Sequence, residues 1–188
     1  MAGITVTPLA IPDVKVIATP RFGDGRGFFS ETWSRAVFNG AGLDIDWIQD
    51  NHSFSAEQGV LRGLHYQMPP FAQDKLVRVV RGAIFDVAVD IRHGSPYFGK
   101  WVGLKVSAEA WNQILVPKGF AHGFITLEPA TEVLYKVSGK YSPAHDRNIR
   151  YDDPTIGIAW PAAPNGPILS DKDKKAPDFA GLDTGFQF

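Results

Sequence analysis

Between residues 58 and 138, apolar side chains recur at every second position in short runs, and each run is closed by Gly, Pro, Asn or Asp. Such alternation predicts β-strands, and no stretch here keeps a helical period beyond two turns. The runs are GVLRGLHYQ (59–67), DKLVRVVRG (74–82), AIFDVAVDIR (83–92), KWVGLKVS (100–107), NQILVPKGF (112–120), HGFITLE (122–128) and TEVLYKVSGKY (131–141). Their spacing predicts an all-β chain folded as a sandwich or jelly-roll barrel. Only SRAVFNGAG (34–42) and SDKDKKAP (170–177) predict short peripheral helices, each with a Ser at the N-cap and a Gly or Pro behind it. After Pro161 the chain is rich in Pro and charge, so this tail is expected to wrap the barrel without adding a strand. If it reaches the barrel mouth, it supplies site residues.

Strand parity decides which polar side chains enter the interior. In AIFDVAVDIR, Asp86 shares a face with Ile84 and Ala88, so its carboxylate sits among apolar neighbours and needs a partner. Lys75 shares its face with Val77 and Val79, which lets it point into a cavity. Arg62 and His65 are three apart and fall on different faces of a regular strand; a bulge at Gly63 brings them to one side.

The chain has 188 residues, 44% of them hydrophobic, which suits one well-packed domain and is short for two. No repeat, low-complexity tract or linker marks a boundary. With 19 basic against 20 acidic residues, no global field draws the protein to nucleic acid or to an anionic membrane. The first 20 residues have no cation before Lys15 and are broken by Pro8, Pro12 and Asp13, unlike a signal peptide or spanning helix, so a cytoplasmic location is expected. The absence of cysteine removes disulfides, thiol nucleophiles and thiolate metal sites.

Arg62, His65, Lys75, Asp86, His122 and Tyr135 all interrupt apolar runs. Burying each one unpaired would cost a few kcal/mol, about 1–3 per group, so a shared polar cavity is the economical reading. His65 alone reads as a hydrogen-bonded core residue, a metal ligand or a proton-transferring base. Against a metal, Tyr66 and Gln67 stand where an H-x-H ligand pair needs its second histidine, and His122 is isolated. Against serine hydrolysis, there is no G-x-S-x-G elbow. Asp173 has a local role available, because Ser170 followed three residues later by an acid matches a helix cap. Arg26 lies in a Gly-rich turn (Gly23, Gly25, Gly27) that leads into an edge strand towards Glu31, and both read locally as solvated.

DGRGFFSETW, QDNHSFS, GVLRGLHYQ, QDKLVRVVRGAIFDVAVDIR, SPYFGKW, VPKGFAHGF, LYKVSGKYSPAHDRNIRYDDP and LSDKD occur in this order from about residue 20 to 177. Together they resemble the dTDP-4-dehydrorhamnose 3,5-epimerases and related dTDP-4-keto-6-deoxysugar epimerases. The resemblance implies a cupin-type jelly roll without metal or cofactor, working as a homodimer on a dTDP-4-keto-6-deoxysugar. It implies His65 as general base, Asp173 as its carboxylate partner, Tyr135 as the acid on the far side of the sugar and Lys75 beside the enolate oxygen. Arg62 and His122 are implied near sugar and phosphates, with Asp86 supporting them. Gln49 and Asn51 are implied to contact the nucleotide, Tyr141 to pack on the base, and Arg26, Phe29 and Glu31 to reach the thymidine of the neighbouring subunit. This chain has Lys140-Tyr141 where relatives commonly carry two tyrosines.

The expected reaction is inversion at C3 and C5 of dTDP-4-dehydro-6-deoxy-D-glucose, in the supply of dTDP-L-rhamnose. A C4 ketone acidifies both flanking C–H groups, so one pair of proton carriers on two faces of the ring serves either carbon. An imidazole of ordinary pKa, about 6.5, suits the first role. A carboxylate on its second nitrogen fixes the tautomer. A single-carbon epimerase and a catalytically silent sugar-nucleotide-binding cupin are the alternatives.

Overall fold

The computed structural model describes residues 3–188. Its strands are β1 (Thr5–Pro8), β2 (Lys15–Ala18), β3 (Phe22–Asp24), β4 (Gly27–Phe29), β5 (Gln49–Ser55), β6 (Leu61–Gln67), β7 (Lys75–Arg81), β8 (Ala83–Asp90), β9 (Trp101–Ser107), β10 (Asn112–Val116), β11 (Phe120–Thr126), β12 (Thr131–Val137) and β13 (Asp146–Asn148). Helix α1 spans Arg35–Gly40 and α2 spans Asp171–Lys174. A six-stranded sheet in the order β1-β2-β10-β7-β12-β5 faces a five-stranded sheet in the order β13-β6-β11-β8-β9, and β3 and β4 form a separate hairpin. All strand pairs are antiparallel. This is the all-β sandwich or jelly roll expected from the alternation, and the cupin type that the resemblance implies.

The interior between the sheets is filled from both: Val77, Val79 and Ile114 from one, Ile84, Ala88, Val106 and Phe124 from the other. Each fully buried aliphatic side chain contributes about 1.5–3 kcal/mol. The outer face of the five-stranded sheet, with Leu64, Val87, Val89 and Ile91, is covered by Ile149, Ile156 and Phe179 of the late chain. Asp153 fixes that cover by accepting the backbone N–H groups of Thr155, Ile156 and Phe179. The tail touches the barrel through single bridges, Val60 with Ile168 and His93 with Gln187, and contributes no strand.

Several boundaries differ from the pattern. β1 to β5 precede the region where alternation predicts strands: β1 ends in Pro8 at a sheet edge, and β5 is an edge strand with mostly polar residues. Phe120 belongs with His122 in β11, because Pro117-Lys118-Gly119 turns the chain after Val116. Both helices are shorter than their sequence signals. Ser34 sits at the N-cap of α1 without a side-chain cap bond, whereas Ser170 accepts the amide of Asp173.

The bulge at Gly63 is present. Across β6 and β11, His65 pairs with His122 and Arg62 with Phe124, so Gly63 and Leu64 together stand against Gly123 alone. Gly63 has φ +133, and a Cβ there would meet Gly123 Cα at 2.5 Å, so no side chain fits. The extra residue brings Arg62 and His65 onto the same cavity wall.

Candidate functional site

Between the two sheets opens a cleft of about 410 Å3. The five-stranded sheet contributes Arg62 and His65 from β6 with His122 and Phe124 from β11. The six-stranded sheet contributes Lys75 and Val77 from β7, Tyr135 from β12 and Ser53 from β5. The tail closes one side with Ile168, Leu169, Ser170 and Asp173.

His65 Nε2 donates to Asp173 Oδ1 at 2.6 Å, across 108 residues of sequence. A carboxylate only accepts, so Nε2 carries the proton and Nδ1 keeps its lone pair. The other carboxylate oxygen accepts the Ser170 hydroxyl at 2.8 Å, and Ser170 Oγ in turn accepts the Asp173 amide at 3.2 Å. Asp173 therefore bonds both to the Ser170 that caps α2 and to His65, one oxygen to each. Burial pushes its carboxyl up, but the bonds from His65 and Ser170 and the charges of His65 and Lys172 outweigh this and hold it below the usual carboxylate value.

A second pair lies deeper. His122 Nε2 donates to both oxygens of Asp86, at 3.0 and 2.9 Å, and both residues are buried. Burial lowers the His122 pKa, with Asp86 opposing the shift and Lys75 and His65 adding to it, so this imidazole is neutral at pH 7. Lys75 approaches the carbonyl of His65 at 3.4 Å, and burial pushes its ammonium down to about 8 against the attraction of Asp86 and Asp146. It keeps its charge at pH 7. Burial raises the Tyr135 phenol, with Arg62 pulling the other way, so it remains a proton donor.

A neighbouring cavity of about 230 Å3 shares His65, Lys75 and Tyr135 with the cleft, and adds Gln49, Asn51, Tyr141, Asp146 and Lys172. Gln49 and Asn51 are bonded to each other at 2.7 Å. Asp146 accepts both the Lys172 ammonium and, at 3.2 Å, the Tyr141 hydroxyl. Together the two cavities form one elongated site, polar at the Tyr141 end and mixed at the His65 end. Among the described residues no group of three or more His, Asp or Glu side chains is placed to hold a metal ion.

A family model described as dTDP-4-dehydrorhamnose 3,5-epimerase matches residues 8–181. The chain belongs to the dTDP-4-dehydrorhamnose 3,5-epimerase family. It is 50% identical over 180 residues to the Sinorhizobium fredii protein of that name, covering 96% of this chain and 92% of the relative. The crystal structure of the Legionella pneumophila dTDP-6-deoxy-D-glucose-3,5-epimerase in complex with dTDP-4-keto-L-rhamnose superposes with TM-score 0.93 at 40% identity, covering 98% of each chain. The Bacillus anthracis enzyme with TDP and pyrophosphate bound has TM-score 0.90 at 46% identity, covering 94% of this chain and 99% of its own.

Of the residues that resemblance to the epimerase family singles out, His65, Arg62, Lys75, His122, Tyr135 and Asp173 meet in the cleft, Asp86 stands behind His122, and Gln49, Asn51 and Tyr141 line the adjoining cavity. Arg26, Phe29 and Glu31 lie elsewhere. Arg26, with its side chain 91% exposed, pairs with Asp24 at the tip of the β3–β4 hairpin. Phe29 and Glu31 line a separate apolar pocket with Ile4, Phe22 and Phe38.

Ser53, Ser170, Gln67, Asp146 and Lys172 are site residues that the sequence reading did not single out. For Ser53 the signal was available: Gln49, Asn51 and Ser53 share one face of β5, and all three line the site. The Ser53 hydroxyl is shielded from water and has no protein partner, an orphan at the cleft wall.

Proposed function

We propose that this isomerase inverts C3 and C5 of dTDP-4-dehydro-6-deoxy-D-glucose, on the route to dTDP-L-rhamnose. The observation that carries this reading is the His65–Asp173 bond, set on one sheet of a cleft whose other sheet supplies Lys75 and Tyr135. A sugar ring between the sheets has a basic nitrogen on one face and a phenol on the other.

His65 Nδ1 takes the proton from the carbon beside the ketone, and Asp173 stabilises the imidazolium that forms. The C4 oxygen gains negative charge as the enolate develops, and the Lys75 ammonium meets it. Tyr135 returns a proton to the far face, which inverts the centre. Once His65, one-third exposed, has released its proton to solvent and Tyr135 has regained one, the second carbon reacts in the same way after the ring is repositioned. Remote binding energy comes from the nucleotide, with Arg62 on the diphosphate, Gln49 and Asn51 along it, and Tyr141 packed on the base.

The protein acts as a homodimer, in which the β3–β4 hairpin and the segment just after it bring Arg26, Phe29 and Glu31 to the partner's thymidine. Phe28 and Phe29 on β4 support this, being 56% and 70% exposed, apolar rings that water does not favour.

The test is NMR of the dTDP-4-keto-6-deoxyglucose reaction in heavy water. Deuterium enters at both C3 and C5 with the wild type and at neither with His65→Ala. Exchange at a single carbon would move the reading to a mono-epimerase, and no exchange with the wild type would end it. Sedimentation equilibrium with wild type and Phe29→Ser checks the dimer.

A further inference from the structure

Tyr141 is 59% exposed, so its ring stands largely in solvent. Its backbone is another matter. Gln67, 5% exposed, donates from Nε2 to the carbonyl of Lys140 at 3.0 Å and accepts at Oε1 the N–H of Ser142 at 2.6 Å. One carboxamide thus holds the peptide groups on both sides of Tyr141. The second Nε2 proton goes to the Phe71 carbonyl at 2.8 Å, tying the same side chain to the β6–β7 connection. Two carbonyls and one N–H require two donors and one acceptor on a single planar group. Glutamine provides that set, whereas glutamate would turn an oxygen against two carbonyl oxygens. The ring end is held from across the strand pair, since Asp146, which accepts the Tyr141 hydroxyl, is the β13 residue opposite Gln67.

We infer that Gln67 is a positioning residue for the nucleotide end of the site: it fixes Tyr141 through both flanking peptide groups and so sets nucleotide affinity without taking part in proton transfer. This rests on the reading of Tyr141 as the aromatic that packs on the base. Gln67 lies two positions from His65 on β6, but it has no bond to His65, Asp173, Lys75 or Tyr135. A tightly held tyrosine presents its ring with little ordering cost on binding.

The test is a double-mutant cycle read by calorimetric titration with dTDP, using the full chain and the variants Gln67→Met, Tyr141→Ala and both together. Tyr141→Ala weakens dTDP about tenfold, the size of one base–aromatic stack. Gln67→Met weakens it nearly as much, and the double variant binds no more weakly than Tyr141→Ala alone. Inorganic diphosphate affinity and kcat at saturating sugar nucleotide stay at wild-type levels, while KM rises. A merely structural glutamine would lower the melting temperature without this split. If Gln67→Met does not fold, Gln67→Glu is expected to give the same loss of dTDP affinity, because it removes both donors and keeps the acceptor. Multiplicative losses in the double variant, or wild-type dTDP affinity in the Gln67 variants beside a weakened Tyr141→Ala, would overturn the inference. Wild-type affinity in Tyr141→Ala would instead remove the base-packing reading, and the inference with it.

Discussion

The site holds two histidine–carboxylate pairs that look alike on paper and differ in every physical respect that governs proton movement. His65 and Asp173 join a barrel strand to the tail; the imidazole is one-third exposed and donates to one oxygen, leaving Nδ1 free on the cleft. His122 and Asp86 sit on adjacent strands, Asp86 fully buried and His122 nearly so, with one imidazole N–H shared between both carboxylate oxygens. In the first pair, solvent and a mobile proton are accessible. In the second, burial keeps the ring neutral and the carboxylate occupied. A carboxylate beside a histidine is thus no sign of a base by itself; exposure and the second nitrogen decide.

The largest expected effect that sharpens this contrast is on the outer pair. His65→Asn should reduce deuterium wash-in about a thousandfold, the usual reach of general base catalysis, with the melting temperature little changed. Next comes the charge between the pairs: Lys75→Met should cost about a hundredfold in kcat. Because the Lys75 ammonium titrates at about 8, wild-type activity should fall as pH rises through that value, and Lys75→Arg should remove that alkaline limb from the pH–rate profile.

Exchanging the two acids then breaks the comparison apart. Asp173→Asn should lower kcat about a hundredfold by misdirecting the ring, with a small loss of stability. Asp86→Ala should leave His122 buried without its acceptor and cost about 1–3 kcal/mol. For a chain of this length that is a fall of about 2–4 °C in Tm per kcal/mol, read by calorimetry. Equal effects of the two acid substitutions on kcat and on Tm would erase the distinction.

The smallest effect concerns acid. The folded pKa of His122 lies below the unfolded one, about 6.5, so the unfolded chain binds the extra proton first. Its contribution to stability is complete above pH 6.5 and is lost as pH falls from there through the folded pKa. Asp173, whose carboxyl is also lowered in the fold, loses its contribution only below its ordinary value of 3.8. Melting curves of wild type and His122→Phe should therefore diverge as pH falls below about 6.5, and above the ordinary carboxylate range Asp173→Asn should run parallel to wild type.

Alternation made the barrel strands from β6 to β12 legible, because those strands bury one or both faces among apolar neighbours. It could not reveal β5, whose Gln49, Asn51 and Ser53 face a polar site, nor β13, three residues long. Gly63 announced its bulge because a glycine between Arg62 and His65 was the local way to bring both to one side. Asp173 was harder: its spacing from Ser170 signalled a cap, and nothing local signalled that its other oxygen reaches a strand from the far part of the chain. Gln67 was invisible for the same reason, since its partners at Lys140 and Ser142 come together only when the loop closes over β6.

The separation of His65 from Asp173 by 108 residues has a consequence for the chain as it is made. A ribosome adds roughly 5–20 residues per second, so the imidazole emerges some 5–20 seconds before the carboxylate that aims it. The sheets are available to fold in that interval, but the pocket they form has an undirected ring. Chains cut short by proteolysis or arrested translation before the tail would lack both Asp173 and the Phe179 cover of the five-stranded sheet, so competence arrives only with the last stretch of chain.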